Sequence, residues 1–231
     1  NVICGKINNI EGIKCTIYGK SGEHMKYIDL SHEIKNEMPI YPGDVEVNLE
    51  QVNKYEEDGY NGYSLFTGMH AGTHIDAPKH ILQTDKYISD YPIERFVGNA
   101  ILLDVRGESI IEVKDEYYRS IKENDIVLLF TGHDKIYGTE NYYTDHPVVS
   151  EELADLLVKK KIKILGIDAP SPDKNPYNVH KKLLENDIFI LENLTNLKEL
   201  LYNEGIQIFA QPLKIQGEGS LVRAIALYQG Y

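Results

Sequence analysis

The chain has 231 residues, enough for one substantial hydrophobic core, and its 42 % hydrophobic and 26 % charged residues are ordinary for a globular protein. A formal net charge of −12 argues against nucleic acid or an anionic membrane as a main partner. No apolar run reaches the roughly 18 residues of a membrane-spanning helix, and no signal-peptide core lies near the start, so the expected compartment is the cytoplasm.

Residues 1–24 read as an N-terminal extension or arm. Both cysteines, Cys4 and Cys15, lie in it; two cysteines make no disulfide framework, and if the arm is incidental, thiol catalysis is excluded. A single domain is expected over residues 25–231, starting with a strand in Lys26 to Ile34. A second strand covers Val45 to Val52, joined to the first through the turn Tyr41-Pro42-Gly43-Asp44. A polar loop from Tyr55 leads to a strand, Tyr63 to Met69, that delivers His70. Ile81 to Phe96 reads as irregular around Pro92, and Asn99 to Val105 as a buried strand. Glu112 to Ile121 reads as a short helix, and Ile126 to Phe130 as a strong strand. Thr131 to Pro147 is a long polar loop. Ser150 is a good N-cap for a helix to about Lys161. A strand at Lys163 to Asp168 and a helix at Asn178 to Glu185 follow. The strand Ile188 to Leu191 ends at Glu192, Leu197 to Tyr202 reads as helical, and strands at Ile206 to Gln211 and Leu221 to Tyr228 complete the chain. Strands outnumber helices, and helices fall between strands in the second half, which points to an α/β fold built on a mixed sheet or barrel.

The richest stretch is His70-Ala71-Gly72-Thr73-His74-Ile75-Asp76-Ala77-Pro78-Lys79-His80. Three histidines and an aspartate occupy even positions, so an extended backbone puts all four on one face. Pro78 disfavours helix. A straight strand would hold the Cα atoms of His70 and His74 roughly 13 Å apart, too far for two imidazoles about 2 Å from one ion, so a bend is expected near Gly72. Two imidazoles and a carboxylate suit a divalent transition metal. His80 is left for proton transfer or for outer support of the site. The bland alternative is a histidine-rich surface loop.

The pattern His-x-Gly-Thr-His-x-Asp-x-Pro-x-His resembles the signature of the metal-dependent cyclase family, which includes bacterial kynurenine formamidases (arylformamidases) and isatin hydrolases. The likeness continues in Tyr41-Pro42-Gly43-Asp44, Leu129-Phe130-Thr131-Gly132, Gly166-Ile167-Asp168-Ala169-Pro170-Ser171, His180, Leu191-Glu192-Asn193-Leu194, Pro212-Leu213-Lys214 and Val222-Arg223-Ala224.

The resemblance implies a barrel-like β core with helices outside, of the swivelling β/β/α type. It implies His70, His74 and Asp76 as metal ligands, and His180 and Glu192 as ligands of a second ion bridged by Asp76. Zinc is the first choice of metal and manganese the second. On the residues alone His180 would not stand out. Glu192 is more telling, because a carboxylate at the end of the apolar run Ile188–Leu191 needs a partner. His80 matches the family's catalytic histidine. The implied chemistry is hydrolysis of a small amide: a metal brings the pKa of a bound water down towards about 7, and an imidazole carries a proton to the departing amine. A third ligand is the alternative role for His80. Tyr41, Tyr63 and Phe66 are candidates to stack on an aromatic substrate; His24 and His32 are given no role, nor are His133 and His146 unless their long loop folds over the pocket and brings them to the substrate. The favoured activity is that of an arylformamidase releasing formate from N-formylkynurenine. Opening of a cyclic amide in the manner of isatin hydrolase, or metal and small-ligand binding without catalysis, are the alternatives. By analogy with the family, a homodimer is expected, with the pocket lined from both subunits.

Overall fold

The structure, a computed structural model, describes residues 24–230. The expected arm therefore lies outside the described residues, His24 apart. The first strands are β1 (His24–Asp29) and β2 (Asn48–Asn53). A single helical turn, α1 (Tyr55–Asp58), separates β2 from β3 (Gly62–Phe66), and then come β4 (His74–Asp76), β5 (Val97–Asp104) and β6 (Ile110–Ile111). The middle of the chain carries α2 (Tyr117–Ser120), β7 (Ile126–Phe130), α3 (Glu140–Thr144), β8 (Val148–Val149), α4 (Glu151–Lys160) and β9 (Ile164–Ile167). It ends with α5 (Asn178–Glu185), β10 (Phe189–Glu192), β11 (Gln207–Phe209), β12 (Gly219–Leu221) and β13 (Ile225–Gly230).

Nine strands form one mixed sheet in the order β1-β13-β11-β5-β7-β9-β10-β4-β12. Its centre, β5, β7, β9 and β10, is parallel, and the flanking pairs are antiparallel. The sheet curls into a half-barrel, in keeping with the barrel-like expectation.

Period-two alternation explains how it is held. Ile126, Leu128 and Phe130 of β7 face a cluster with Ile75, Ile164, Phe189, Leu191, Ile208 and Ala226, the inside of the curl. Val127 and Leu129 face the other way, where Leu153 and Leu157 of α4 and Val179 and Leu183 of α5 cover the sheet. With both faces buried, the central strands read as unbroken apolar runs. Each fully buried aliphatic side chain contributes about 1.5–3 kcal/mol.

α4 starts where its cap predicts. The Ser150 side chain accepts from the Leu153 N–H at 3.1 Å. The region of Glu112 to Ile121, expected as a helix, holds only the single turn α2, and the two residues before it, Ile110–Ile111, pair in parallel with Val148–Val149. The run from Leu221 to Tyr228 is two strands, since it serves both limbs of the curled sheet. Leu221 pairs with His74, whereas Ile225 pairs with Phe209 and Asp29. The strand near Tyr63 ends at Phe66 and belongs to a separate hairpin with β2, so a turn, not a strand, delivers His70.

Candidate metal centre and active site

β4 lies between β10 and β12, and all three of its residues are buried. Its register puts His74 opposite Glu192 and Asp76 opposite Ile190. On the other side Gly219 faces Asp76. A Cβ on Gly219 would stand 2.9 Å from the Ile75 carbonyl oxygen, so only glycine lets β12 approach this closely. Gly72 has φ +62°, and this left-handed turn is the expected bend. It brings the His70 ring to a centroid distance of 4.9 Å from that of His74.

The turn is pinned from three sides. Asn193 Nδ2 donates to the Gly72 carbonyl at 3.0 Å, the Thr73 hydroxyl donates to the Asn193 carbonyl at 2.6 Å, and Thr73 Oγ1 accepts from the His32 N–H at 2.9 Å. His74 Nδ1 lies 2.8 Å from the Gly72 carbonyl oxygen. A carbonyl only accepts, so Nδ1 carries a hydrogen and Nε2 is the nitrogen turned to the carboxylates. Nε2 faces Asp76 Oδ1 at 3.4 Å and Glu192 Oε2 at 3.3 Å. From the other side His180 Nε2 stands 3.6 Å from Asp76 Oδ2 and 3.3 Å from Glu192 Oε1. His70 Nδ1 lies 2.9 Å from Asp76 Oδ1, and its Nε2 is 3.4 Å from Glu218 Oε1. Each of the two buried carboxylates thus stands between imidazoles, and Glu192 spans the same two groups as Asp76.

His70 Nε2, His74 Nε2, both Asp76 oxygens and Glu192 Oε1 are buried without a well-formed hydrogen bond. Leaving such groups uncompensated costs several kcal/mol, and a divalent cation among them removes that cost. The spacing fits: two donors about 2.0–2.1 Å from one tetrahedral ion stand roughly 3.3 Å apart. Ligand atoms of His74, Asp76 and Glu192 lie within 4.8 Å of one another, as do those of His70, Asp76 and His80.

The electrostatics agree. Burial opposes ionisation of Asp76, but the surrounding histidines hold it well below the usual carboxylate range. Burial and the Asp76 charge likewise oppose Glu192, and His180 and His74 outweigh them. Burial would lower His70, but the carboxylates of Asp76 and Glu218 win and raise it to about 10. Both carboxylates therefore stay ionised and favour positive charge among the imidazoles around them. His80 is the exception, its pKa lowered chiefly by burial, so its ring is neutral at pH 7.

A cavity of about 350 Å³ opens on this cluster, lined by His70, His74, His80, His180 and Glu192 and walled by Tyr41 and Tyr177. Tyr63 and Phe66 do not line it; they stand outward on the hairpin, 61 % and 66 % exposed. Outside the cavity His133 stacks on Tyr142 and lies edge-on to His146, and His32 stacks on Tyr137 at 3.7 Å. The sequence reading missed Tyr177, Asp44 and Ser171 on the wall, Glu218 beside His70, and Asp173, whose Oδ1 lies 2.5 Å from His180 Nδ1. Asp44 and Ser171 lie inside family-like blocks; Tyr177 and Asp173 lie beyond them.

Residues 28–174 match the putative cyclase family. This chain belongs to the cyclase family. It is 31 % identical over 206 residues to kynurenine formamidase of Bacillus cytotoxicus, covering 87 % of this chain and 96 % of that protein. Kynurenine formamidase of Bacillus anthracis is similar to the same degree. Among solved structures, a potential metal-dependent hydrolase with cyclase activity superimposes with a TM-score of 0.73 at 26 % identity, over 90 % of this chain and all of that one. Isatin hydrolase A from Labrenzia aggregata shares the fold, with a TM-score of 0.80 at 24 % identity over 89 % and 94 % of the two chains. The chain is a metal-dependent hydrolase of this family, formamidase-like in sequence.

Proposed function

We propose that the protein is an arylformamidase that releases formate from N-formylkynurenine or a closely similar aryl formamide. One observation carries the reading: buried Asp76 and Glu192 each stand between imidazoles, with oxygens that lack a well-formed hydrogen bond, and Glu192, His70, His74 and His180 line a small cavity that also presents His80. Two divalent ions, zinc by preference and manganese next, are the proposed occupants. His70, His74 and Asp76 would hold one, and His180 and Glu192, together with Asp76, would hold the other. When bound, such ions supply Lewis acidity and acidify a water at neutral pH.

The chain's own residues do the rest. His80 has no side-chain hydrogen bond among the described residues, and its ring faces the cavity. A ring free to reorient suits proton transfer better than ligation. Neutral at pH 7, it accepts the proton released as water attacks the formyl carbon. It then returns that proton to the departing aryl amine, whose expulsion as an anion would be prohibitive. The Tyr41 ring, set edge-on to Tyr143, offers a face to the aryl group. A cavity of about 350 Å³ suits a small substrate.

A metal-reconstituted screen tests this, with formate release measured from aryl formamides alongside isatin and simple aryl esters. Turnover of the formamide is expected to lead. Faster opening of isatin would move the assignment to a cyclic amide, and turnover of nothing, with metal verified in the protein, would make it a binding protein.

We further propose a cytoplasmic homodimer. Val52, Tyr63, Leu65 and Phe66 of the β2–β3 hairpin are all more than half exposed, a concentration of apolar surface that favours a protein partner. Its packing against a second copy gives Tyr63 and Phe66 a route to the partner's pocket. Sedimentation at micromolar concentration is expected to give a dimer, and Leu65→Asp a folded monomer; a fully active wild-type monomer would overturn it.

A further inference from the structure

The N-terminus of α5 is capped in an unusual way. Tyr177, the residue at the cap position, has φ +61° and makes no side-chain capping hydrogen bond. Asp173 does the capping from outside the helix: its Oδ2 accepts from the Val179 N–H at 2.7 Å and the His180 N–H at 3.2 Å. The other oxygen of the same carboxylate lies 2.5 Å from His180 Nδ1. Asp173 is itself 7 % exposed, and its own N–H points to Ser171 Oγ at 3.4 Å. One side chain therefore fixes both the first turn of the helix and the ring that projects from it.

We infer that Asp173 is the positioning residue for the second ion's imidazole: it holds the hydrogen on His180 Nδ1 and thereby keeps the Nε2 lone pair turned to Asp76 and Glu192. A carboxylate can only accept, so Nδ1 donates to it, and with a cation set between Nε2 and the carboxylates of Asp76 and Glu192 it is Nε2 that offers its lone pair. The distances from Nε2 to Glu192 Oε1, 3.3 Å, and to Asp76 Oδ2, 3.6 Å, show where that lone pair is aimed. A carboxylate behind a ligating histidine orients the ring and strengthens it as a donor. His74 reaches the same state by another route, with the Gly72 carbonyl in place of a carboxylate. This inference rests on the proposed role of His180 as a ligand.

The test is Asp173→Asn. The amide oxygen still caps Val179 and His180, but the amide nitrogen then donates towards Nδ1 and drives the ring hydrogen to Nε2, the wrong tautomer. Zinc-loaded wild type, Asp173→Asn and His180→Ala are compared by chelator titration and by ¹⁵N spectra of labelled histidines, His180 being assigned by its absence from the Ala variant. Expected are a 10–100-fold weaker second zinc in Asp173→Asn, an unchanged first zinc, and a His180 spectrum shifted from the Nδ1–H to the Nε2–H pattern. A purely helix-capping role would leave the spectrum unmoved. Wild-type zinc affinity with an Nδ1–H pattern in Asp173→Asn overturns the inference even if His180→Ala loses a zinc. His180→Ala with full zinc content would instead remove the ligand role on which it stands.

Discussion

Asp76 and Asp168 are both buried carboxylates carried by strands of one sheet, 1 % and 0 % exposed, yet their surroundings are opposite. Asp168 follows β9 and receives three hydrogen bonds from the loop after β7: Thr131 N–H at 2.8 Å, the Thr131 hydroxyl at 2.6 Å and Gly132 N–H at 2.8 Å. Asp76 ends β4 and faces only the rings of other candidate ligands. Backbone N–H groups come free wherever a strand ends in a loop, so the chain can answer one buried charge from its own stock. Around Asp76 it offers only more groups with lone pairs, an arrangement suited to a cation. A structural carboxylate and a candidate metal ligand differ here less in burial than in the kind of neighbour they are given.

Removing Asp76 is the severest way to break this contrast. If both proposed ions share its carboxylate, Asp76→Ala loses metal and activity together, with turnover falling to background. Asp168→Ala is expected to lose stability but keep its metal. Elemental analysis beside formamide hydrolysis checks both. Metal retained in full by Asp76→Ala would undo the distinction.

How far the sequence revealed this difference follows from the range of the interactions. His70, His74 and Asp76 sit within seven residues, and local spacing with one glycine was enough to anticipate the bend at Gly72. The Ser150 cap and the strand Ile126–Phe130 are equally local, and both appear where the pattern puts them. The position of Glu192 opposite His74 depends on pairing between strands remote in the chain, so its standing between the His74 and His180 rings was hidden. Asp173 was missed because a cap is sought at the residue preceding the helix, and here Tyr177 holds that place. Tyr63 and Phe66 stand out in the sequence only as aromatic rings suited to stacking, and nothing local shows that their strand pairs with β2 and turns them outward. Composition cannot tell an aromatic ring that faces a substrate from one that faces a partner.

His80 sharpens the comparison at a second level, separating groups that hold charge from one that moves it. His80→Ala is expected to keep both ions and lose about 10²–10⁴-fold in turnover of a formamide, the usual range for a general acid–base group. The defect is expected to shrink on an aryl ester, whose phenolate leaves without a proton. Turnover of both substrates is measured beside metal content. An equal loss on the two, or loss of metal, would assign His80 to the ligands, the role its distance from His70 and Asp76 also permits.

The mildest effect concerns Asp168, and there the sign is what matters. Burial raises its pKa to about 6 from an ordinary 3.8, the donors from Thr131 and Gly132 offsetting only part of the cost. A carboxyl whose pKa is higher in the folded chain than in the unfolded one binds more protons when folded. Its contribution to stability is therefore greatest below about pH 4 and declines as pH rises towards 6. At about 1.36 kcal/mol per unit, the decline amounts to about 3 kcal/mol. Other groups titrate over the same range, so the useful quantity is the stability gap between wild type and Asp168→Asn, measured by urea unfolding at pH 4.5 and at pH 7. The amide does not titrate, and it presents its nitrogen to one of the donors that Asp168 accepts, so the variant is expected to be the weaker protein at pH 4.5. By pH 7 the gap is expected to narrow by about 2 kcal/mol, the part of the titration that lies above pH 4.5, because only the wild type then buries a charge. If the gap widens instead, the three donors more than compensate the buried charge, Asp168 sits below the ordinary carboxylate range, and the chain's own hydrogen bonds stabilise a buried anion fully without a cation.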